Sequence, residues 1–125
     1  MEKECNVSYS YSEDGLILIR EFRNKVTMKD IIDSWEEIVM KDMIPQNVKG
    51  VVTNFNSCEL NINPGELDEI YNFFQRNIHY MMNLKIAVVI DSPKVVFPTL
   101  FKLRYSAILL ESFCTKEAAI KWILN

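Results

Sequence analysis

Apolar and polar residues alternate, cycle and then run together along this chain, and each pattern predicts a different element. Val7, Tyr9 and Tyr11 stand against Asn6, Ser8 and Ser10, a period of two that predicts a half-buried strand over 6–11. Ser12-Glu13-Asp14-Gly15 carries turn chemistry, with Gly15 free to take positive φ. Leu16–Phe22 then reads as the return strand of an antiparallel hairpin, apolar on both faces over Leu16–Ile19. Arg23–Val26 leads to a helix start at Thr27, whose hydroxyl can cap while Asp30 suits the positive helix end. Met28, Ile31, Ile32, Trp35, Ile38 and Val39 recur on one helical face, with Lys29, Asp33, Glu36 and Glu37 turned outward. Pro45 marks the exit.

Gly50–Phe55 predicts a third strand, followed by a polar loop from Asn56 to Asn63. Asn63 as cap, Pro64 at the first helical position and Glu66 at the third open the next helix. Its stripe is Leu67, Ile70, Tyr71, Phe74, Ile78 and Met81 or Met82, so Phe73 and Tyr80 fall off it and predict an exposed apolar patch. Lys85–Asp91 holds five apolar residues in a row, too short for a buried helix, and predicts a strand covered on both faces. Ser92-Pro93 opens a helix carrying Val95, Val96, Thr99, Leu100 and Leu103, in which Pro98 demands a kink or a start nearer Phe97. Ile108–Phe113 is the last strand, and Thr115 caps a final helix with Ala118, Ala119, Trp122 and Ile123 inward. The order β-β-α-β-α-β-α-β-α predicts an α/β fold with a five-stranded mixed sheet, parallel after the hairpin. If the helices lie on one side, the other sheet face needs cover from a second subunit.

Composition narrows the classes. A chain of 125 residues, 49% hydrophobic and 25% charged, reads as one domain spanning 1–125. A net charge of −3 with acids and bases interspersed argues against a nucleic-acid surface. Cys5, Cys58 and Cys114 have no CxxC spacing and predict buried free thiols in a reducing cytoplasm. The start Met1-Glu2-Lys3-Glu4 is unlike a signal peptide, and the short apolar runs predict no membrane insertion.

The Val88–Lys94 stretch, Val-Val-Ile-Asp-Ser-Pro-Lys, and the ending Thr115–Ile123 are similar to segments of a known family. With the element order, they make the chain resemble the STAS-like fold of bacterial anti-sigma factor antagonists and related small STAS/Sec14-type proteins. That resemblance implies a bacterial regulatory domain with a protein partner. In the signalling members a serine of an Asp-Ser-Ser-Gly motif, phosphorylated by a partner kinase, opens the helix after the third strand. Here that region reads Leu60-Asn61-Ile62-Asn63-Pro64-Gly65, and Ser57 is the nearest hydroxyl. The phosphoserine switch is therefore expected to be absent.

Reactive chemistry is sparse. His79 is the sole histidine and reads as a helix-surface residue, and no Cys/His spacing predicts a metal site. Three glycines exclude both GxGxxG and a P-loop, so no cofactor is expected. Ligands in open α/β sheets sit outside the strand carboxyl ends. That rule selects Asn54, Asn56, Ser57, Cys58, Asp91 and Ser92 as the interaction rim, and the off-stripe Phe73 and Tyr80 form a separate candidate interface patch. These readings favour a non-enzymatic interaction module, either monomer or homodimer. The alternatives are a small-ligand or lipid carrier of Sec14 type, with an apolar cavity among the aromatic helices, and an enzyme using Asp91 or Cys58.

Overall fold

A computed structural model describes residues 4–91, 93–105 and 107–125; the chain start Met1–Lys3 and Ser92 lie outside them. Strands β1 (Asn6–Tyr11) and β2 (Ile17–Thr27) form the antiparallel hairpin, with Tyr9 opposite Arg20. Gly15 turns between them at φ 72°, where a side chain would be strained. Strands β3 (Gly50–Asn54), β5 (Lys85–Val89) and β6 (Leu109–Phe113) add in parallel, in the order β1-β2-β3-β5-β6.

The five-stranded expectation holds along this path, with one addition. Cys58–Asn61, expected as loop, forms β4 and pairs in parallel with Asn24–Thr27. The reason lies in β2, which runs five residues past the expected Phe22. Its far half leaves the main sheet and offers its backbone groups to a second partner. Those groups must be paired somewhere.

Helix α1 (Met28–Met40) starts where Thr27 predicts. The Thr27 hydroxyl accepts the Asp30 N–H at 3.3 Å, and the Asp30 carboxylate accepts the Thr27 N–H at 2.8 Å. A 3-10 turn at Pro64–Glu66 leads into α2 (Leu67–Arg76), with the Glu66 carboxylate accepting the Asn63 N–H at 2.9 Å. The single helix expected through Met82 breaks at Asn77, whose side chain donates to the Phe73 carbonyl at 2.9 Å and competes with the helical ladder. A short α3 (Ile78–Met81) follows. Helix α4 (Val96–Arg104) begins late enough to put Pro98 in its first turn, where no backbone donor is required. Helix α5 (Lys116–Leu124) is capped by Thr115, which accepts the Ala118 N–H at 3.2 Å.

Alternating strand residues build two cores. Leu18, Phe22, Val51, Ile86, Val88 and Ile90 face α1, α2 and α4, while Ile17, Val52, Ala87 and Val89 face α5. The central strand is buried on both sides as its unbroken apolar run predicts. Helix α5 thus supplies cover over the second sheet face from within the chain. Its contact with the sheet is close at Gly50, where an added Cβ would lie 2.6 Å from the Lys85 carbonyl oxygen and 2.8 Å from the Ile123 side chain.

Candidate functional site

The carboxyl ends of β3 and β5 lie side by side, since Asn54 pairs with Val89. Asn54, the last residue of β3, is buried, and its side-chain oxygen accepts the Asn56 N–H at 2.9 Å. Asn56 in turn joins three strand ends. Its side-chain oxygen accepts the Asp91 N–H at 2.7 Å, and its amide donates to the Cys114 carbonyl at 3.3 Å. The topological rule therefore brings Asn54, Asn56 and Asp91 together, with Ser57 exposed beside them.

A cavity of about 300 Å³ opens at this rim, walled by Asn56, Cys58, Glu59, Asp91 and Lys94 among others. Lys94 donates from Nζ to the Leu60 carbonyl, tying the 3-10 turn ahead of α4 to β4. Cys58 is half-buried, its thiol donating to the Phe55 carbonyl at 3.3 Å. Burial, with a smaller push from Cys5, raises its pKa to about 11, so the thiol is protonated at neutral pH and a poor nucleophile. Of the three cysteines expected to be buried, Cys5 and Cys58 are partly so and Cys114 is exposed. Cys114 falls just past the end of β6, where the chain turns toward α5.

The apolar patch expected at Phe73 and Tyr80 is corrected in its main member. Phe73 is 2% exposed and meets Phe74 edge-on at 5.9 Å. It lies on the flank of α2 nearest α1, beside Val39 and Met40, so α2 buries a wider sector than one stripe. Tyr80 is half-buried and donates its hydroxyl to Asp42 at 2.7 Å; burial, then that bond, pushes its pKa up to about 12. His79 is exposed on α3. Among the described residues no three His, Cys, Asp or Glu side chains cluster as metal ligands would.

The polar residue that sequence reasoning passed over is Arg20. It is 2% exposed, in the middle of the sheet face that α1, α2 and α4 cover. Its guanidinium donates from Nε and Nη2 to the Thr53 hydroxyl at 3.1 and 2.9 Å, and from Nη1 to the Ser34 hydroxyl at 3.1 Å. Ser34 continues to the Tyr9 hydroxyl at 2.8 Å. Aromatic faces flank the group, with its central carbon 4.4 Å from the Trp35 ring and 5.0 Å from that of Phe22. Among the described residues no carboxylate forms an ion pair with it. Desolvation lowers its pKa to about 9, which leaves it charged at neutral pH. The signal was present: Arg20 falls in phase with Leu18 and Phe22, both core residues.

Arg20 and Thr53 also wall an apolar cavity of about 80 Å³ between the sheet and the helices. Trp35, Ile70, Phe74 and Phe101 line it further, joined by edge-on ring contacts of 5.4 Å for Trp35–Phe74 and 5.7 Å for Phe74–Phe101. Phe97 and Pro98 at the start of α4, with Ile62, are half-buried members of the wall.

No protein-family model matches the sequence, and no curated protein matches it. Solved structures do match in fold. An uncharacterised DUF3478-family protein from Shewanella loihica with a SpoIIAA-like fold superposes with a TM-score of 0.60 at 11% identity, over 98% of each chain. An anti-sigma factor antagonist from Mycobacterium paratuberculosis gives 0.60 at 7% identity, covering 98% of this chain and 96% of that one. The phosphorylated Bacillus cell fate determinant SpoIIAA gives 0.57 at 10% identity, over 94% of this chain and 99% of its own. The fold is therefore SpoIIAA-like, the STAS-like arrangement that the element order and the end motifs indicate. No helix among the described residues is long and apolar enough to cross a membrane.

Proposed function

We propose that this chain is a single-domain, non-enzymatic regulatory module that binds a protein partner through the rim at the strand carboxyl ends. One observation carries the reading: Asn56 fixes the ends of β3, β5 and β6 in one surface, with Ser57 and Asp91 exposed on it. Rigid placement of a polar loop suits recognition, because little ordering entropy is lost on binding. The likeness to anti-sigma factor antagonists supports the same class. The chain at the corresponding place reads Asn63-Pro64-Gly65 without serines, so the module works without the phosphoserine switch. A bacterial cytoplasm and a homodimer fit this reading.

The test is affinity capture from the native cell with wild type and an Asp91→Arg/Ser57→Arg variant in parallel. A partner that is retained by wild type and lost by the variant supports the rim. Identical partner lists would remove it. Phosphosite mapping after incubation with a partner kinase checks the missing switch, and a label at Ser57 would restore it.

A second reading is favoured by the apolar cavity of about 80 Å³ under α1, α2 and α4: a small-ligand or lipid carrier of Sec14 type. Its apolar and aromatic lining with two polar groups is the kind small-molecule sites use, while its volume is well below the roughly 300–1,000 Å³ of pockets that enclose a drug-sized ligand. Native mass spectrometry of freshly purified protein tests it through bound mass.

A further inference from the structure

The buried guanidinium and the cavity beside it belong together. Arg20 uses three of its five N–H donors on Thr53 and Ser34, leaving two without a partner among the described residues. A buried cation with neither a carboxylate nor a full set of acceptors is costly for folding alone. Thr53 and Ser34 neutralise none of its charge. The wall around it is otherwise almost wholly apolar.

We propose that this cavity is a binding site for a small organic monocarboxylate, with the carboxylate on the two unused N–H donors of Arg20 and a short apolar tail among Ile70, Phe74 and Phe101. The inference rests on the carrier reading above and names its ligand class. A single negative charge matches the single positive one. A dianionic phosphate would leave net charge in a medium of low dielectric. The guanidinium fork matches a carboxylate's two oxygens, and such charge-assisted pairs are the stronger hydrogen bonds. Size sets the tail, because 80 Å³ is smaller than the roughly 150 Å³ cavity known to hold benzene. By that measure it encloses roughly half of benzene's six heavy atoms, so the carboxylate and its first carbon sit inside and the rest of a short tail runs along Ile70, Phe74 and Phe101 toward Phe97 and Pro98.

The experiment is an amide-resonance NMR titration of the purified chain at neutral pH with butyrate and, separately, with the isosteric neutral butyramide. Butyrate is expected to shift the Thr53 and Val88 amides and to bind more tightly than butyramide by about tenfold or more. In an Arg20→Met/Thr53→Val variant, which replaces the polar pair with apolar groups, the preference is expected to vanish. Should that variant not fold, Arg20→Lys keeps the charge without the fork, and its preference is expected to shrink while remaining. Equal affinity of butyrate and butyramide for wild type would overturn the arginine anchor and leave an apolar carrier standing. No binding of either probe, nor of hexanoate, would remove the carrier reading together with this inference.

Discussion

The two faces of the sheet are built to different standards. Over one, α5 lays Ala119 and Ile123 onto Ile17, Val52, Ala87 and Val89, all aliphatic and almost wholly buried. Over the other, three helices gather aromatic rings around a guanidinium that has no carboxylate partner among the described residues, and leave space unfilled. Protein interiors are normally close-packed, and unfilled volume costs stability. The face with the cavity and the buried charge is therefore where the fold gives up stability, and α5 marks the level of packing the same chain reaches elsewhere.

The sharpest way to strain that comparison is Trp35→Ala. It empties a buried ring and uncovers Arg20, so a loss of about 3–5 kcal/mol is expected in urea denaturation. A loss below about 1 kcal/mol would mean that the cavity collapses freely. On the opposite face, Gly50→Ala forces a methyl against backbone and Ile123 and should cost about 1–3 kcal/mol. Gly65→Ala is the control, since its nearest neighbour is Asn63 Oδ1 at 3.4 Å on an exposed turn. If the two alanines cost the same, the tight fit of α5 is not real.

Between the faces, Asn56→Ala removes the tie among strand ends and should cost about 0.5–1.5 kcal/mol, the net worth of an exposed hydrogen bond whose Asp91 N–H water can then satisfy. Cooperative melting followed by far-UV circular dichroism measures this. The smallest effect is in alkali. The Cys58 thiol ionises near 9.0 when unfolded and near 11 when folded. Across that window the unfolded chain holds fewer protons, so this thiol's contribution makes stability fall as pH rises. Arg20 acts in the opposite sense above about 9, because its folded form gives up a proton first. The variant Cys58→Ala should therefore lose less stability than wild type between pH 9 and 11 in denaturant midpoints. Matching slopes would show that the thiol is not desolvated as its position implies.

How far the sequence could be read depended on redundancy. The hairpin and the helix starts at Thr27 and Thr115 each had two independent signals, periodicity plus a turn or a cap, and the central strand had an unbroken apolar run too short for a helix. Pro98 had a local rule strong enough to move a helix start. Strand β4 had none, because Cys58-Glu59-Leu60-Asn61 buries a single residue and exists only since β2 overruns its expected end. Phe73 escaped because a single-stripe pattern assumes one packing partner, whereas α2 meets both the sheet and α1. The nearness of Asn54, Asn56 and Asp91 was legible from topology. The wiring through Asn56 was not, since side-chain bonds between distant strand ends leave no periodic trace. Arg20 was legible in principle and hidden in practice by one charged letter in an otherwise ordinary strand.

The missing side chain at residue 50 bears on motion as well as on fit. With no clearance there, the terminal helix serves as a fixed backing plate, and any breathing that admits a guest has to come from the opposite layer. The segment over 96–104, with a single fully buried side chain and a proline near its start, is the natural hinged panel. Hydrogen exchange should find its amides opening far more often than those over 116–124.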